Sequence, residues 1–171
     1  MNILNTAKKI IIAASIAAFI ILAVLLVSFA LPFFTATRAL KARMEKFENI
    51  TDGVTLQIND PYNSDGSVLP RTVDVFLDGE KAREISAELC DVTENAKYSG
   101  KETATHGSWD ISLCLRSEDG ITTVYLCEKE IYVTEGASKY SFSFAPADET
   151  EYSALYKKIR NLIYQEATGA H

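Results

Sequence analysis

Hydrophobic and polar positions divide this chain into two unlike parts. Residues 10 to 37 carry no charged side chain, and within them Ile10 to Phe34 reads IIIAASIAAFIILAVLLVSFALPFF. At about 1.5 Å of rise per residue, roughly 20 helical residues cover the ~30 Å hydrocarbon layer of a bilayer. Lys8 and Lys9 precede the run and Arg38 follows it. A cleaved signal peptide is the competing reading, and Ser28-Phe29-Ala30 offers a small-residue site. The apolar core, however, runs well past the roughly 7 to 15 residues of a signal-peptide core. The pattern therefore predicts an uncleaved transmembrane anchor over 10–34, preceded by a stub of residues 1–9.

The flanking charges pull in two directions. Counting cations alone would place Arg38, Lys41, Arg43 and Lys46 on the cytoplasmic side. Lys8 and Lys9 meet the insertion machinery first, and Glu45 and Glu48 dilute the rear cluster. The expected orientation is N-inside, with the C-terminal part outside the cytoplasm. From Thr35 to Glu48 the chain has helix formers and no glycine or proline, and Leu40, Met44 and Phe47 form one apolar stripe. This predicts a juxtamembrane helical stalk over 35–48, with a break near Pro32.

The remaining residues, 49–171, alternate in ways that predict an α+β domain. Val54 to Ile58 and Thr72 to Leu77 read as strands separated by the turn-rich loop Asn59 to Pro70. Asp78 stands where it can cap a helix that buries Ala82, Ile85, Leu89 and Val92. Asn95 to Ser108 loses all periodicity and reads as a loop. Trp109 to Cys127 is two alternating runs joined at Asp119-Gly120, the dipeptide of a type I′ hairpin. With that pair at the tip, Glu118 faces Ile121. Ile131 with Val133, and Tyr140 with Phe142 and Phe144, continue the alternation after a turn at Gly136, giving a four-stranded meander. A last helix begins at Asp148 and aligns Tyr152, Leu155, Tyr156, Ile159, Leu162 and Ile163 on one face, wide enough to cover a sheet. The fold class expected is α+β: a single transmembrane helix and stalk, then a mainly antiparallel β-sheet packed on the C-terminal helix.

Charge changes the picture of what this domain meets. Of the 171 residues, 17 are basic and 23 acidic. Six of the basic ones precede Asn49, so the acids concentrate in the C-terminal domain. Such a surface repels nucleic acid, which is excluded as a partner. The expected partners are membrane lipid, through the anchor, and an envelope or membrane protein.

Candidate chemistry is sparse. The histidines are His106 and His171, too few for a nucleophile and base constellation supported by local motifs. Cys90, Cys114 and Cys127 are too widely spaced for a paired zinc motif. Asp60, Asn63, Asp65 and Gly66 do not meet the spacing of a calcium loop. No metal, cofactor or catalytic residue is expected. The sequence instead points to the second face of the meander, where Ser112, Cys114, Tyr125 and Tyr132 fall together with Thr123, Cys127, Thr134, Ser141 and Ser143. Tyrosine among small hydroxyl residues is a composition suited to recognition. Strand propensity alone also favours tyrosine and threonine there. The reading is a non-catalytic, single-pass anchored interaction or sensing domain. The alternative is a tethered hydrolase using acidic loop residues.

Overall fold

The computed structural model describes residues 3–51, 53–58, 73–103, 110–117, 120–134 and 140–168. In chain order these form α1 (Ile3–Glu48), β1 (Gly53–Ile58), β2 (Val73–Asp78), α2 (Gly79–Thr93), β3 (Lys97–Thr103), β4 (Ile111–Ser117), β5 (Gly120–Leu126), β6 (Ile131–Thr134), β7 (Tyr140–Ala145) and α3 (Glu149–Thr168). The chain divides into two compact units, Met1–Ala36 and Thr37–His171.

The described residues of the first unit lie within α1, one helix that is long and apolar enough to cross a membrane. Ile11, Phe19, Leu22, Leu26 and Phe34 are all exposed on it. The helix continues through Pro32 without the expected break. Proline removes one hydrogen bond donor but leaves the rest of the ladder able to continue.

Among its described residues, the second unit is a seven-stranded sheet with helices. All the strand pairs of this sheet are antiparallel, in the order β2-β1-β4-β5-β6-β7-β3. The predicted meander forms β4 to β7. The two early strands extend it on one side, and β3 on the other. One face of the sheet carries Leu56, Ile111, Leu113, Val124, Leu126, Ile131, Val133, Phe142 and Phe144, all buried. Both α2 and α3 contact β1 and β2. α2 contributes buried Ala82, Ile85 and Leu89, with Thr93 buried in place of the expected Val92. α3 contributes Tyr152, Leu155, Tyr156, Ile159 and Ile163. Its start is capped as expected: Asp148 Oδ1 accepts from the backbone N–H of Thr150 at 2.8 Å and of Glu151 at 3.0 Å. Asp78 occupies the N-cap position of α2, but its side chain makes no capping hydrogen bond.

The turns of α1 that belong to this unit are not a bare stalk. Leu40, Met44 and Phe47 are buried, so the stripe read from their spacing packs into the domain. The Cys90 thiol of α2 approaches the Met44 carbonyl at 3.7 Å. Burial, with Glu48 and Asp91 nearby, pushes this thiol from 9.0 up to about 11. The folded chain therefore holds the Cys90 proton more tightly than the unfolded one, so stability falls as pH rises from 9 toward 11. The Tyr152 and Tyr156 phenols, raised chiefly by burial, extend the loss at higher pH. Denaturation of Thr37–His171 across pH 8 to 11 should show this decline, and Cys90→Ala should flatten its first part. An unchanged slope in the variant would contradict the assignment.

Two further expectations are corrected. Lys97–Thr103, read as loop, is a strand paired with β7. Its register shifts between Tyr98 and Gly100, so Tyr98 and Lys101 share a face although three residues apart. Tyr98 sits edge-on to Phe142 and Phe144, and Lys101 lies over the Phe142 ring. A bulge in a polar edge strand erases the period of two. The hairpin register also differs: Ser117 pairs with Gly120 and Arg116 with Ile121, in place of the expected pairing of Glu118 with Ile121. Gly120 takes φ 119°, which lets the strand begin at that residue instead of placing it in the tip. The displacement is two residues, so every side chain keeps its expected face. The expected loop Asn59 to Pro70, Trp109, the turn at Gly136 and both histidines lie outside the described residues.

Gly53 shows how closely β1 and β2 approach. A Cβ there would lie 2.4 Å from the Leu77 carbonyl oxygen and 2.6 Å from the Phe76 ring. The carbonyl belongs to the ladder and cannot yield cheaply. Gly53→Ala should destabilise the domain by about 1–3 kcal/mol, read as a lower urea midpoint. An unchanged midpoint would show that the strands can part without cost.

Candidate binding surface

Strand alternation builds the candidate surface on the face opposite the apolar core. The register places Ser112 of β4 opposite Tyr125 of β5, and Tyr125 opposite Tyr132 of β6. Tyr132 in turn faces Ser143 of β7. One pleat further along, Cys114 faces Thr123, with Sγ 3.6 Å from the Thr123 hydroxyl. The four residues singled out in the sequence thus share one face across three adjacent strands.

Hydrogen bonds tie this row together. The Ser112 hydroxyl donates to Gln57 Oε1 at 3.2 Å. Tyr132 donates to Glu130 Oε2 at 2.6 Å, and Ser99 donates to Glu130 Oε1 at 3.0 Å. Ser99 also shares a 2.9 Å hydrogen bond with the Ser143 hydroxyl. The sequence does not single out Glu130 or Ser99. Glu130 lies in a polar turn and Ser99 at the bulge of β3, and neither position shows a local signal.

Height and burial sort the residues of this face. Tyr125, Tyr132 and Cys114 are half-buried, whereas Ser112, Ser141 and Ser143 are buried. Among the described residues, Ser141 Oγ is buried without a hydrogen bond partner. Burial pushes the Tyr125 phenol upward, while the Arg43 cation of α1 acts in the opposite sense. An orphaned hydroxyl carries a desolvation cost, so Ser141→Ala should be neutral or slightly stabilising in thermal melts. A clear loss of stability would mean that the hydroxyl makes a bond.

Two concavities lie beside the β5–β6 turn. A cleft of about 600 Å³ runs between the β5–β6 turn and the first turns of α3, with Glu128, Lys129, Glu149 and Lys157 on its walls. A neighbouring hollow of about 390 Å³ is lined by Asp110, Cys127, Glu128, Lys129 and Glu130. Two of these acids already serve as acceptors, Asp110 for the Tyr156 hydroxyl at 2.9 Å and Glu130 for Tyr132 and Ser99. Tyr152 places its hydroxyl 2.6 Å from the Cys127 carbonyl and 2.8 Å from that of Glu130, fastening α3 to the turn. Among the described residues no group of three or more His, Cys, Asp or Glu side chains could hold a metal ion. Compared with known proteins, the chain matches no family model, no curated protein and no solved structure.

Proposed function

We propose that this protein is a single-pass, membrane-anchored interaction or sensing domain that binds a partner protein through the outer face of its sheet without catalysing a reaction. The observation that carries this reading is the row Ser112, Tyr125, Tyr132 and Ser143, aligned across four strands of one sheet. Half-buried Tyr125 and Tyr132 offer large, amphipathic contacts with few rotors to immobilise, while buried Ser112 and Ser143 support them from within the sheet. The charge-free part of α1 supports the anchor, because its apolar side chains are exposed over several turns. A contiguous apolar surface of that extent is unusual on a soluble monomer.

In this reading residues 1–9 stay in the cytoplasm and the C-terminal domain lies outside it. Lipid surrounds the helix, and the domain meets an envelope or membrane protein. Asn161 is exposed on α3 and provides a position for testing the orientation. An Asn161→Cys variant lacking the three native cysteines should react with an impermeant thiol reagent on intact cells. Reaction only after lysis would reverse the orientation.

A further inference from the structure

The two edges of the sheet are built differently. β3 ends one side with a bulge at Ser99 and with Lys97 and Lys101 along the strand, features that discourage pairing with another chain. β2 ends the other side and has neither lysine nor proline. Its six residues pair with β1 in continuous register from Gly53↔Asp78 to Ile58↔Val73, and among the described residues β2 pairs on that side alone. Val73, Val75 and Leu77 point into the core. Asp74, Phe76 and Asp78 point outward and are exposed, Phe76 by 64% even though its ring lies against Gly53.

From this edge we propose that β2 accepts an extended segment of a partner protein as an eighth strand, one that alternates basic and apolar side chains so that two cations flank a central apolar residue. Resting on the interaction-domain reading above, this names the chemistry of the partner. Main-chain hydrogen bonds supply affinity in such strand addition, and alternate side chains supply selectivity. Outward residues of the added strand stand opposite Asp74, Phe76 and Asp78. Cations meet the two carboxylates, and an apolar side chain covers the Phe76 ring. A second copy of this chain fits less well. The antiparallel register that stacks Phe76 on its copy also sets Asp74 against Asp78 twice, and like charges directly opposed are destabilising.

The test uses the full chain in lipid nanodiscs and two synthetic peptides, one reading Lys-Val-Leu-Val-Lys and the other with glutamate in place of both lysines. The lysine peptide should bind at least tenfold more tightly and slow amide exchange in residues 73–78. Asp74→Lys should weaken the lysine peptide and strengthen the glutamate peptide. Equal binding of both peptides, no added protection in β2, or indifference to Asp74→Lys would overturn the proposal. A Tyr125→Ala variant separates the two readings. If it loses the natural partner while the peptides ignore Asp74→Lys, the sheet face stands as the binding surface and the β2 edge does not.

Discussion

Replacing Leu113 with aspartate is expected to unfold the C-terminal unit outright, and Ile159→Asp to do the same from the other side of the core. Both side chains are completely buried, Leu113 in the centre of β4 and Ile159 in the middle of α3. Leu113 faces Leu56 on one neighbouring strand and Val124 on the other, so an aspartate there has only hydrocarbon beside it on its own face of the sheet. An unpaired carboxylate in such a site costs several kcal/mol or takes up a proton, and either outcome is comparable with the roughly 5–15 kcal/mol that holds a domain together. Thermal melts of residues 37–171 followed by circular dichroism would show the loss of a cooperative transition. If either variant melts like the parent, the corresponding face has been assigned to the wrong layer. Arg116→Ala, on the opposite face and exposed, serves as the control and should melt within a few degrees of the parent.

The second large effect concerns the anchor. Full-length protein should remain with membranes through alkaline carbonate extraction, while a chain beginning at Thr37 should be recovered in the supernatant. The reason is the charge-free run itself: its side chains are exposed in α1, and lipid is the solvent that removes them from water. An Ile20→Asp, Leu25→Arg double variant places two charges within the run and should weaken retention, since each charge near a helix centre carries about 2.5–3.5 kcal/mol on insertion scales. Mass measurement of the membrane-bound species distinguishes an intact anchor from processing near Ala30. Recovery of full-length protein in the supernatant would remove the anchor from the account.

Alternation with a period of two makes most of the sheet legible in the sequence. Ile111, Leu113 and Leu115 alternate with polar or small neighbours, as Val73, Val75 and Leu77 alternate with exposed ones, and each run is a strand with its apolar side chains buried. The α3 stripe is equally plain because helical spacing repeats along its 20 residues. What alternation cannot reveal is which strands become neighbours. β1 lies between β2 and β4, and its pairing with β4 joins residues more than fifty positions apart, such as Gln57 and Ser112. β3 is hidden for a local reason: its bulge breaks parity, and Gly100 and Lys101 carry no apolar signal. The surface row is partly legible. Alternation puts Ser112, Cys114, Tyr125 and Tyr132 on one face, and a two-residue change of hairpin register leaves that unchanged. The acceptor that binds Tyr132 and Ser99 together, Glu130, is not legible, because it depends on β3 closing the far side of the sheet.

The stripe Leu40, Met44 and Phe47 carries a similar lesson. Its spacing announces an apolar face but not what that face meets, and burial within the C-terminal unit makes these turns of α1 part of the domain's core. Met44→Asp should accordingly lower the melting temperature of residues 37–171, whereas exposed Lys41→Asp should leave it nearly unchanged.

The central claim, binding through the outer sheet face, is tested most directly by photocrosslinking in intact cells. A benzophenone amino acid replaces Tyr132 in the full-length protein, with the same group at exposed Asn161 on α3 as the reference position. The account predicts one discrete protein adduct from position 132. It predicts that this adduct disappears in a Tyr125→Ala background whose melting curve is unchanged, and that position 161 does not give it. No adduct from position 132, or the same adduct from both positions, would contradict the account.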